Sequence, residues 1–132
     1  MQMPIRPIFV ILYLIVMAGC QTGPFKGGGA ARHAGNDYLE EGVQNYEEGN
    51  YRTAKRRLQY GLEEGLSKPD RVKAHKYLAF IACISNQQLA CREEFSIALE
   101  LDPVFDLAPA EAGHPIWGPV FRSVKAKQSK LP

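Results

Sequence analysis

The 132-residue chain has no apolar run of about eighteen residues, which argues against an ordinary membrane-spanning helix. Charge of one sign is also missing. Sixteen Lys and Arg against fourteen Asp and Glu leave +2, too balanced to point to nucleic acid. No Gly-rich phosphate loop, His-Glu-x-x-His pair or Gly-x-Ser-x-Gly elbow occurs. The carboxylate pairs Glu40/Glu41, Glu47/Glu48, Glu63/Glu64 and Glu93/Glu94 read as solvated helix faces. Lys55-Arg56-Arg57 spreads around most of a helix, so it reads the same way. Cysteine is scarce, at three, and tryptophan occurs once. What is present is ordinary for a folded chain. Hydrophobic residues at 45% and charged residues at 23% exclude wholesale disorder, and the length suits one domain.

The N-terminus reads as an address. Arg6 precedes an apolar stretch from Pro7 to Met17, and Ala18-Gly19-Cys20 follows. This is the layout of a secretory signal, with an apolar region too short for a span. Met17-Ala18-Gly19-Cys20 resembles the lipobox of bacterial lipoproteins, although Met17 stands where Leu is commonest. The resemblance implies a signal peptide at residues 1–19, cleavage before Cys20 and lipid on Cys20. Several acyl chains on one residue make a stable anchor, whereas one chain holds only marginally. Gln21, where Asp often marks inner-membrane retention in such families, leans toward the outer membrane, facing the periplasm.

Gln21 to Gly35 carries five Gly and one Pro in fifteen residues. Such chain cannot bury a core, so residues 20–36 read as a lipidated, flexible tether. From Asp37 the spacing turns helical, with Asp37 and Glu40 forming a capping-box-like start. Glu48-Gly49-Asn50 breaks this helix, and a second runs from about Tyr51 to Glu64 with Tyr51, Ala54, Leu58 and Leu62 inward. Ser67 and Asp70 cap a third, with Pro69 in its first turn. It stops near Ser85-Asn86. A fourth spans about Gln88 to Leu101 and ends at Asp102-Pro103. Ile116, Trp117, Val120, Phe121 and Val124 fit one face of a further helix that closes the open end. No strand pattern competes, so the fold class is all-α, with a helical domain at 37–127 and a disordered tail at 128–132.

The two hairpins repeat. Tyr38, Gly42, Gly49, Tyr51, Ala54, Leu58, Gly61 and Leu62 align with His75, Ala79, Asn86, Gln88, Cys91, Phe95, Ala98 and Leu99 at a constant offset of 37. Small residues recur where helices approach closely and large ones where a pair buries its apolar face. The stretches GVQNYEEGNYRTAKRRLQYGL and LAFIACISNQQLACREEFSIALELDP resemble tetratricopeptide repeats. That family repeats at about 34 residues, so three extra residues fall in the turn around Ser67-Lys68-Pro69. With the lipobox and LDPVFDLAPAEAGHPIWGPVF, the chain also resembles short repeat-containing lipoproteins associated with type VI secretion systems.

The resemblance implies a non-enzymatic, lipid-anchored adaptor, with a membrane and an envelope protein as partners. Carried over, the repeat family's groove comprises Leu39, Val43, Tyr46, Lys76 and Phe80, which suits a peptide or partner helix. The alternative is that the C-terminal segment fills that groove. Accessory work in pilus, cell-wall or outer-membrane-protein assembly is the competing function. Self-association through an open end is a further possibility.

Cys83 and Cys91 form an even pair in an oxidising compartment. A hairpin brings an eight-residue pair close, yet strict repeat geometry leaves it about one turn out of register. A disulfide is expected, two small buried thiols are the alternative, and a small thiol redox protein is the remaining reading. No metal or cofactor is expected: only His75 lies near Cys83, two turns upstream. Trp117 reads as core.

Overall fold

The computed structural model describes residues 33–130. The expected signal peptide, the lipid on Cys20 and most of the tether therefore lie outside the described residues. Six helices follow: α1 (Asn36–Glu47), α2 (Tyr51–Glu64), α3 (Lys68–Ile84), α4 (Gln88–Leu101), α5 (Pro109–Ala112) and α6 (Trp117–Gln128). Among the described residues there is no strand.

The repeat is visible residue by residue. α2 and α4 are each 14 residues long and start at the equivalent Tyr51 and Gln88. The equivalent turn residues Gly49 and Asn86 both have positive φ, at 79° and 59°. Glycine and asparagine tolerate that left-handed backbone best. Inside the pairs, Leu58 and Phe95 are fully buried, as are Ala54 and Cys91. Gly42 leaves no room for a methyl group, because a Cβ there would lie 2.7 Å from Leu58 Cγ. α6 packs against α4 and α3 as α3 packs against α2 and α1. It is thus the first helix of an unfinished third pair.

Three expectations about boundaries change. The Asp37–Glu40 capping box is not the helix start: α1 begins one residue earlier, at Asn36, with Gly35 as N-cap and no side-chain cap bond. The cause is a backbone crossing. Gly35 N–H donates to Gly65 O at 3.0 Å, and a Cβ on Gly35 would meet Gly61 O. Only glycine permits that approach, so Gly35 belongs to the fold and not to the tether. The three extra residues do not lengthen a turn. α3 has 17 residues against 12 in α1, and the surplus forms its first turn. Ser67 caps that turn, accepting from Asp70 N–H and donating to Asp70 Oδ2 at 2.6 Å. Finally, Gln128, placed in the tail by the sequence, closes α6 and donates from Nε2 to Ser96 O at 3.0 Å.

Cys83 and Cys91 stand at disulfide distance across the α3–α4 turn, with Cα atoms 5.1 Å apart and their sulfurs paired. Replacing both with Ala is expected to lower the melting temperature by roughly 10–20 °C, from about 2–3 kcal/mol of lost loop constraint. Calorimetry of the variant, and of the native chain in reductant, checks this; equal melting temperatures would contradict it.

Candidate functional site

The first helices of the two pairs, α1 and α3, share one face. The five residues expected to line a groove there meet different fates. Leu39 is 4% exposed and Phe80 is 2% exposed, so both are core. Val43 and Tyr46 are half-buried against the same packing. Lys76 is held in an ion pair, its Nζ 2.6 Å from Glu111 Oε1. The groove is not empty at Lys76 and Phe80, because the segment between α4 and α6 crosses it.

That segment is built to stay. Trp117 stacks on Phe80 with ring centroids 4.3 Å apart and planes 21° apart. Its indole Nε1 donates to Glu111 O at 2.9 Å. His114 also stacks on Trp117. Glu111 serves two partners: Oε1 pairs with Lys76, and Oε2 accepts from the Ala108 N–H at 3.0 Å, at the start of α5. Arg122 donates to Ala112 O at 3.1 Å, and Lys125 bonds Phe105 O and Asp106. The Lys125 hydrogen bond, with the Leu107 N–H, holds the exposed Asp106 carboxyl below its usual range. As a single tryptophan on an apolar stripe should be, Trp117 is core, at 7% exposed.

What stays open is a run of tyrosines. The Tyr46 ring lies 5.0 Å from Tyr77 and 5.7 Å from Tyr51. Tyr51, expected to point inward, is 41% exposed. Lys76 Nζ sits 4.8 Å from the Tyr77 centroid, within cation–π range. Burial, reinforced by Tyr51, Tyr77 and Glu111, pushes the Tyr46 hydroxyl up to about 12. Burial, with Glu111 and Glu47, raises Tyr77 as well. Both phenols are therefore neutral hydrogen-bonding groups at physiological pH. The sequence named Tyr46 but passed over Tyr77 and Glu111. Only the crossing of α1, α3 and α5 brings these three together.

Other candidate chemistry is confined. The Cys83 and Cys91 sulfurs belong to residues 2% and 0% exposed. His75 Nδ1 pairs with Glu94 at 2.7 Å between α3 and α4. Among the described residues no group of three His, Cys, Asp or Glu side chains could hold a metal ion, and no helix is long and apolar enough to cross a membrane.

Two outcomes follow. Trp117→Ala should cost about 3–5 kcal/mol, because it uncovers Phe80, while Tyr51→Ala should cost about 1 kcal/mol or less; denaturant unfolding measures both. Alkali should also destabilise the fold. The raised folded-state values mean that unfolded tyrosine releases its proton first as pH climbs past about 10. The stability held below that pH is lost as pH rises towards 12, the value for Tyr46. Melting curves across that window should fall less steeply for Tyr46→Phe. Compared with family models, with curated proteins and with solved structures, the chain matches none.

Proposed function

We propose that this chain is a lipid-anchored periplasmic adaptor of the tetratricopeptide-repeat type, supporting type VI secretion at the outer membrane. It acts by holding a protein partner and not by catalysis. The observation that carries this reading is the half-exposed ladder Tyr51–Tyr46–Tyr77. Aromatic rings with neutral hydroxyls combine large contact area with hydrogen bonding, the features enriched where partners bind tightly. The ladder lies on two successive first helices and the start of α2, so it suits a short partner helix or extended peptide. The covered part of the same face fixes the ladder's position. The signal-like N-terminus and Cys20 support anchoring from the sequence side.

The test is a photo-crosslinker at Tyr51 of the full chain in native envelopes, followed by mass spectrometry of the adducts. Contractile-secretion envelope or baseplate proteins are expected, and Tyr46→Ala should abolish their capture. Cell-wall synthases, pilus secretins or outer-membrane assembly factors in their place would refute the secretion role. For the anchor, Cys20→Ser should lose palmitate labelling and leave the outer-membrane fraction.

A further inference from the structure

The extra first turn of α3 builds a second feature that the tyrosine ladder does not use. A cavity of about 430 Å³ opens between this turn and the Asp102–Phe105 loop. Val72, Pro69 and Phe105 give it an apolar floor, and Lys68, Lys73 and Lys76 outnumber the single lining carboxylate, Asp102. Lys76 is committed to Glu111. Lys68 and Lys73 are exposed, and neither has an ion pair among the described residues. Next to the lining residue Phe105, Val104 is 85% exposed. The end of α3 itself is not free, since Ser67 caps it.

The chain also enters the domain at this end. Gly35 is bonded to Gly65, three residues before Lys68. An anchor on the preceding residues therefore tethers the domain at the end where α3 starts. An anionic bilayer matches that edge in both respects. Phosphate headgroups attract lysines near such a surface, and an exposed aliphatic tip enters the headgroup layer, where apolar burial is favourable. The Tyr51 turn lies at the opposite end of α2, roughly 20 Å away by helix rise. Docking here keeps the Tyr51 end of the ladder away from the membrane, while Tyr77 stays next to the cavity through Lys76.

We infer that the edge formed by Lys68, Lys73 and Val104 is a docking surface for anionic phospholipid, which sets the domain's orientation on the membrane. This rests on the lipid-anchor reading, and the experiment separates the two. Val104→Trp is introduced into the full chain, and the protein is mixed with vesicles of phosphatidylcholine alone or with phosphatidylglycerol, both carrying brominated acyl chains. The native chain, whose single Trp117 is buried, sets the baseline. Flotation with pure phosphatidylcholine reports the anchor. Extra quenching at Val104→Trp on phosphatidylglycerol reports docking. The expected result is quenching that needs phosphatidylglycerol, is lost with Lys68→Gln and Lys73→Gln together, and survives Arg52→Gln at the far turn. Flotation without that quenching leaves the anchor standing and overturns the docking surface. Lysine-dependent quenching with flotation only on phosphatidylglycerol supports the surface and refutes the anchor. Flotation on neither composition overturns both. Protection of Lys68 and Lys73 from amine acylation in native envelopes, but not on phosphatidylglycerol vesicles, would assign the cavity to an acidic protein and overturn the lipid reading.

Discussion

The stack of Trp117 on Phe80 is the contact on which the rest of this structure depends. It joins the C-terminal segment to the second hairpin. Phe80 packs in turn near Phe95, which meets Phe121 edge-on at 5.2 Å. Through Trp117 Nε1 the stack holds the Glu111 backbone, and Glu111 then holds Lys76 and the start of α5. Without the stack, Phe80 faces water and Lys76 loses its partner. Two hairpins alone bury little surface for their length, and small domains are marginal for that reason. The sixth helix supplies the missing cover.

Close backbone approach is the second constraint. Gly35 over Gly61, and Gly42 beside Leu58, let α1 and α2 pack more tightly than any side chain allows. In the second pair the same places hold Ala98 and Ala79, which are fully buried. The second pair also carries the paired cysteines, where the first pair has Tyr46 and Ala54. That exchange frees Tyr46 to lean on the neighbouring repeat. Repeat equivalence and site chemistry thus come from the same position in the two pairs.

The fold divides one face into a closed part and an open part. The closed part contains Phe80, Lys76 and the crossing segment. The open part contains the tyrosines; for Tyr46 and Tyr77, burial and then nearby charge oppose ionisation of the hydroxyl. Partner binding is assigned to the turn end of the first hairpin and Tyr77 beside it, and membrane contact to the start of α3 and the loop after α4, so neither needs to displace the C-terminal segment.

Local pattern determined the helices. The 3.6-residue spacing of Leu39, Val43 and Tyr46, the Gly49 and Asn86 breaks and the Ser67 cap are short-range facts, and each appears where the residues require it. The offset of 37 also fixed which residues share roles, because equivalent positions bury equivalent side chains. The cysteine pairing needed the hairpin, since one turn of register separates a bridge from two isolated thiols. The start of α1 needed Gly61 and Gly65, which are more than twenty residues away in sequence. The groove residues were legible as a helix face, but whether that face is open is a property of what crosses it. Trp117 lies 37 residues after Phe80, at the equivalent place one repeat on, but the offset gives only the equivalence, and the stack itself comes from packing. Periodicity states which side of a helix is apolar; only packing between distant segments decides what covers it.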